Sequence, residues 1–194
     1  GITYKSLLPA SMKGNRLEQE KQYITMGIPN LEVKYIYSNT IENWFRVKIK
    51  ARDLSALYRA MQDGNVEVFE RELSRLLKES ISYMDAKEAF YHGFLLGVLS
   101  NMSDYIVKSN RESGNGRLDI TAKSLDDSKS PIIIELKAAE TFQEMEAACD
   151  RAVMQIEEKE YDSWALEEGY TEALDYGIAF FRKRCKVKLK RHRF

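Results

Sequence analysis

Asp119, Glu135 and Lys137 are the residues whose types and spacing could do chemistry. They lie in a stretch from Tyr105 to Lys137 that reads as three consecutive strands joined by turns. Gly114-Asn115-Gly116 is a hairpin signal, and Asp126 to Pro131 is a second turn. Side chains alternate faces along a strand. Ile133, Glu135 and Lys137 therefore point one way, and Ile132, Ile134 and Leu136 point the other, into a core. On the preceding strand Asp119 shares a face with Arg117 and Thr121, while Leu118 and Ile120 oppose it. If the two strands pair, two carboxylates and an ammonium converge at one end of a hydrophobic sheet.

Such a trio has a recognisable chemistry. Carboxylate oxygens suit a hard cation such as Mg2+, which takes one or two carboxylates plus waters and phosphate oxygens. The cation activates water and neutralises charge on a phosphodiester. The lysine holds the attacking water or stabilises the charge that develops. A plainer reading stands beside this one. Glu-x-Lys is common in charged chains, and an Asp next to a Gly-rich turn is usually turn chemistry. The context favours chemistry, because Glu135 and Lys137 interrupt an apolar strand where unpaired charge is costly.

The elements around the trio follow from periodicity. A helix over about Asp85 to Met102 is apolar almost all the way round and so is buried. Its polar exceptions, Glu88 and His92, are four apart and share a face. They either pair with each other, with Glu88 also possible at an exposed helix start, or serve the carboxylate site. After Lys137, a helix from about Phe142 to Glu160 buries Phe142, Met145, Cys149, Ala152, Val153 and Ile156. Glu146, Asp150 and Glu157 on it face water, and Gln155 lies at the edge of the buried stripe. Asp175 to Phe181 reads as a central strand and Cys185 to Lys190 as an edge strand, with Lys186, Lys188 and Lys190 facing out. Those lysines either guard the edge against aggregation or form a phosphate track. Arg117 either grips a phosphate or pairs with Glu112.

Upstream, residues 1–83 form a mostly helical accessory region, and 84–194 form the domain that carries the trio. Ile2 to Leu8 and Tyr23 to Met26 could be short strands, and apolar residues from Val33 to Val47 recur at near-helical spacing. Asp53 to Met61 is a helix capped by Asp53 and stopped at Asp63-Gly64, and Val66 to Leu77 is a second. The order helix, three strands, helix, two strands calls for an α/β fold with a mixed central sheet flanked by helices.

Asp119 followed by Glu135-Leu136-Lys137, on adjacent strands after a helix, resembles the PD-(D/E)XK nuclease superfamily. The longer runs Tyr91 to Gly97, Ser109 to Asp119 and Ile134 to Lys137, with Tyr23 to Val33 upstream, resemble a bacterial branch of it. In that branch the nuclease-like domain follows an AAA-ATPase-like half. The resemblance implies a restriction-endonuclease-like core of order αβββαβ and Mg2+-dependent phosphodiester hydrolysis, with Mn2+ able to substitute. The implied substrate is nucleic acid, DNA rather than RNA. It implies Asp119 and Glu135 as metal ligands with Glu88 in support and Lys137 at the water. From the residues themselves, Arg117 and His92 are the candidates for substrate binding, His92 alternatively orienting Glu88 or serving a structural role. Gln155 resembles the glutamine of a Gln/Tyr motif that lines the active site in one branch, although Tyr161 follows at a longer spacing. A homodimer and an ATPase-like partner domain are further implications. The other function class is a catalytically silent interaction or regulatory module of a larger ATPase-like protein, its acids kept for stability.

Composition limits the alternatives. The chain has 194 residues, 44% of them hydrophobic, enough for a real core. Its 30 basic and 30 acidic residues cancel, which argues against indiscriminate nucleic-acid binding by the whole surface. Eight of the basic residues fall between Arg182 and Arg193, with no acid among them. Cys149 and Cys185 have no metal-ligand spacing and fit a reduced, cytoplasmic protein. No apolar run is long enough to span a membrane, and no signal peptide is present. The chain opens on Gly1 and lacks a Gly-x-x-x-x-Gly-Lys-Ser/Thr loop, so it is expected to be a piece of a longer protein, with any ATPase activity elsewhere.

Overall fold

A computed structural model describes residues 2–5, 23–26, 52–80, 88–113 and 116–194. The chain divides into two compact units, Gly1–Trp44 and Phe45–Phe194. In the first, β1 (Ile2–Lys5) and β2 (Tyr23–Met26) pair antiparallel, with Ile2 opposite Met26. The helical spacing expected from Val33 to Val47 lies outside the described residues.

The second unit opens with α1 (Ser55–Asp63) and α2 (Val66–Ser80). The Asp53 carboxylate accepts the Ser55 N–H at 2.9 Å, and α1 ends on Gly64, whose φ of 73° is the left-handed conformation that glycine adopts without cost. Then come α3 (Glu88–Leu99), β3 (Tyr105–Ser113), β4 (Gly116–Ser124) and β5 (Ile132–Ala138). They are followed by α4 (Met145–Glu158), α5 (Ser163–Glu167), β6 (Glu172–Phe181) and β7 (Arg184–Arg193). The five long strands form one sheet in the order β3-β4-β5-β6-β7. All neighbours are antiparallel except β5 and β6, whose parallel pairing needs the crossover that α4 and α5 provide. The mixed sheet flanked by helices is the expected fold, and the five-residue helix α5 is an element the periodicity did not announce.

Alternation on the strands splits the core. Ile132, Ile134 and Leu136 of β5 join Tyr176, Ile178 and Phe180 of β6 on the face covered by α1, α2 and α3. Leu57 and Met61 of α1 and Phe69, Leu73 and Leu77 of α2 belong to this same cluster. The Tyr176 hydroxyl donates to the Met61 carbonyl at 2.6 Å, and Tyr91 of α3 stacks on Phe180 with centroids 4.5 Å apart. The compact unit therefore begins well upstream of residue 84, and α1 and α2 are part of its core. On the other face, Ile133 and Ala173 pack with Ile156, Tyr161 and Trp164, while Ala179 packs with Met145 and Cys149.

Three expectations need correction. Phe142 precedes α4 instead of joining its buried stripe; it is 52% exposed, with the Arg184 guanidinium 5.1 Å from its ring centroid. Leu118 was expected to share a face with Ile120, yet it packs with Ile133 and Ile156 on the opposite side. The lysines of β7 and the acids of α4 do not simply face water. Lys188 reaches Glu146 at 2.8 Å and Asp150 at 2.6 Å, and Lys190 reaches Glu157 at 2.7 Å. Lys186 lies 3.5 Å from Glu70 of α2.

Candidate active site

The displacement of Leu118 marks where the site forms. The β4–β5 ladder runs from Ala122–Ile132 to Ile120–Ile134 and stops there. Where the next pair would be, the Asp119 carboxylate takes the place of a backbone acceptor, and its Oδ2 receives the Leu136 N–H at 2.9 Å. The strands thus part at Asp119 and Glu135 while remaining tied by a side chain. The same bond fixes the Asp119 carboxylate relative to β5.

Glu135 is only 3% exposed. Its Oε1 accepts from Lys137 Nζ at 2.8 Å, and its Oε2 is buried with no hydrogen-bond partner among the described residues. Burial and the neighbouring Asp119 charge push its pKa up to about 7, against the pull of Lys137 and of the Asp119 backbone N–H. Asp119, Glu135 and Lys137 are therefore brought together as the strand pattern required. Lys137 is partly exposed, so its ammonium is accessible beside two carboxylates.

Of the readings open for Glu88 and His92, the structure shows Glu88 at the exposed start of α3 and His92 engaged with β3 and Asp119. His92 Nε2 lies 3.1 Å from the Asp119 carbonyl and 3.0 Å from Ser109 Oγ. A carbonyl only accepts, so the Asp119 contact places a hydrogen on Nε2, and Ser109 shares that donor. His92 thereby ties α3 to β3 and to the main chain of Asp119. Glu88 is exposed at the start of α3, and its Oε2 accepts the Ala138 N–H at 3.4 Å, just past Lys137. It borders the site without forming a tight three-ligand cluster with Asp119 and Glu135.

Gln155 Nε2 donates to the Tyr161 hydroxyl at 3.5 Å, so the two residues meet despite their spacing. Tyr161 is buried against β4: a Cβ on Gly116 would lie 2.8 Å from its hydroxyl. The Arg117 backbone is paired opposite Glu112, and both side chains lie outside what the structure describes. Helix α4 is seated by Gly177, the register partner of Glu135 on β6. A Cβ there would stand 2.6 Å from the Cys149 carbonyl and 2.7 Å from Val153 Cγ2, so only glycine lets the helix lie this close beside Glu135.

Sequence reasoning missed a second polar group. Asp162, Asp175 and His192 have ligand atoms that all lie within 4.8 Å of one another. The signal was present in Ala173-Leu174-Asp175-Tyr176, an acid interrupting an apolar strand as Glu135 does.

A family model of the PD-(D/E)XK nuclease superfamily matches residues 86–190, a little over half the chain. No curated protein matches it.

Proposed function

The chain belongs to the PD-(D/E)XK nuclease superfamily, and we propose that it hydrolyses phosphodiester bonds in nucleic acid, DNA rather than RNA, at Asp119, Glu135 and Lys137. The observation that carries this reading is the buried Glu135 Oε2, with no hydrogen bond from any described donor, beside a second carboxylate. Leaving a carboxylate so placed is costly unless a cation answers it. Two carboxylates and no soft donor suit Mg2+, with Mn2+ as a substitute. The residues present therefore fit the ion the family implies. Asp119 and Glu135 would hold it, with Glu88 at the border, and when bound it would activate water and offset charge on the phosphate.

The chain's own groups have separate tasks. Leu136 N–H orients the Asp119 carboxylate, and His92 steadies the Asp119 main chain from behind. Glu135 must lose its proton to act, which its pKa of about 7 permits at neutral pH. Lys137 offers an ammonium to the nucleophilic water or to a phosphate oxygen. Gln155 holds Tyr161 at the edge of the same sheet face, and Arg117 stands two residues from Asp119 to meet a neighbouring phosphate. A homodimer would bring two such centres to a duplex, and an ATPase-like domain elsewhere in the protein is the partner we expect.

One observation favours the silent-module reading. Lys137 already pairs with Glu135 Oε1, as a purely structural ion pair would. Hydrolysis of labelled single- and double-stranded DNA separates the two. Wild type, Asp119→Ala and Lys137→Ala are run with Mg2+, with Mn2+ and with EDTA. Metal-dependent cutting reduced at least about 100-fold in both variants is the expected result. Absence of cutting, with Mg2+ failing to raise the melting temperature, would establish the silent module instead.

A further inference from the structure

Asp162 follows α4 in the turn that leads into α5, Asp175 lies on β6, and His192 lies near the end of β7. Register brings the last two together. Asp175 pairs with Lys190 and Ala173 with His192, so Asp175 and His192 are diagonal neighbours on the face that α4 covers. Asp175 is fully buried, and neither of its carboxylate oxygens accepts a hydrogen bond from any described donor. Asp162 is 3% exposed; its Oδ2 lies against His192 Nδ1, which stands 3.9 Å from Asp175 Oδ2. The His192 ring is held by stacking on Phe194, with centroids 4.8 Å apart. Lys190, the cation nearest in register, is engaged by Glu157.

Two buried carboxylates share one imidazole, and the two Asp175 oxygens receive no hydrogen bond from any described donor, an arrangement that is costly without a compensating cation. We propose that Asp162, Asp175 and His192 form a structural site for a borderline divalent cation of the Zn2+ class. The donor set decides the class. Imidazole nitrogen with carboxylate oxygens suits zinc, whereas Mg2+ takes oxygen ligands and keeps its waters. Location decides the role. Asp175 is the register partner of Ile133, and Glu135 that of Gly177, so the site sits two residues back along the sheet from the carboxylates of the candidate active site. Its ligands come from the α4–α5 turn, from β6 and from β7. A bound ion would fasten the edge strand and the crossover to the centre of the sheet.

The test is zinc retention. The full chain is stripped with chelator, loaded with Zn2+ and dialysed, and bound zinc is measured with melting curves run beside it. Asp175→Asn and His192→Ala are compared with wild type, and Asp119→Ala controls for the other carboxylate centre. Wild type and Asp119→Ala should each retain a zinc equivalent that Asp175→Asn and His192→Ala lose. Zn2+ should raise the melting temperature of the first two by several degrees and leave the others unmoved. His192 is partly exposed near the end of the chain, so His192→Ala decides the question even if Asp175→Asn does not fold. Equal zinc retention and equal shifts in wild type and His192→Ala would overturn the site. So would failure of wild type to retain zinc, which would leave Asp162 and Asp175 as a proton-sharing pair.

Discussion

Glu135 is ionisable, buried, and raised to a pKa of about 7 against an ordinary value of 4.5. Between those values the folded chain binds more protons than the unfolded chain. Its contribution to stability therefore falls as pH rises through this window, and the penalty is complete above about 7. A change of this size corresponds to roughly 3 kcal/mol at most. Glu135→Gln should accordingly raise the melting temperature in EDTA at pH 8 and change it little at pH 4.5. Asp175 titrates over an overlapping range, so the difference between variant and wild type at each pH is the readout. Equal effects at both pH values would show that Glu135 is not desolvated. Burial also pushes the Cys149 thiol to about 11 and the Cys185 thiol to about 12. Neither should react with a disulfide reagent at pH 8 until denaturant is added, and rapid reaction of the native protein would contradict their burial. At this scale the acids were legible, because Glu135 breaks the run Ile132 to Leu136. Their partners were not: Leu136 N–H on Asp119, and Ser109 and Asp119 on His92, come from strands and helices distant in sequence.

Alternation made β5 readable, and the same rule failed on β4 for a physical reason. The β4–β5 ladder stops at Ile120, where the Asp119 carboxylate takes the Leu136 N–H, and beyond that point Leu118 packs on the other side of the sheet although β4 keeps its register with β3. The acidic stripe of α4 and the lysines of β7 were each visible, but their pairing depends on a packing that periodicity does not contain. Because Lys188 and Lys190 are matched to Glu146, Asp150 and Glu157, β7 is poorly suited to a phosphate track. Lys188→Ala should leave DNA affinity within about twofold of wild type and cost under about 1 kcal/mol of stability, as exposed ion pairs do. A large loss of affinity, read by fluorescence anisotropy, would restore the track. Gly177 makes a stronger claim on the same two elements. Gly177→Ala drives a methyl group into the Cys149 carbonyl and Val153, which should cost about 1–3 kcal/mol and displace α4 beside Glu135. Denaturant titration with a parallel hydrolysis assay checks both consequences.

For the whole molecule, the layered fold followed from element order, since a helix, three strands, a crossover and two strands leave few arrangements of one sheet. What order did not convey is where the folding unit begins. The stripes of α1 and α2 read equally well as a separate helical region, because an amphipathic face does not state which surface it covers. In the structure that surface is the sheet itself. Leu57, Met61, Phe69, Leu73 and Leu77 sit in one cluster with Tyr176 and Phe180, and Met61 accepts the buried Tyr176 hydroxyl bond. Cutting the chain at residue 84 would strip these side chains from the sheet, and each buried leucine, methionine or phenylalanine contributes about 1.5–3 kcal/mol. That loss exceeds the whole stability of a typical domain, about 5–15 kcal/mol, once the bared face of the sheet is counted. A fragment of residues 84–194 should therefore show no cooperative melt, although it spans nearly all of the family match. A fragment of residues 45–194 should melt cooperatively, because it keeps the compact unit whole. Cooperative unfolding of the shorter fragment by circular dichroism would mean that α1 and α2 are dispensable to the core, and that the site at Asp119 and Glu135 is supported from α3 onward alone.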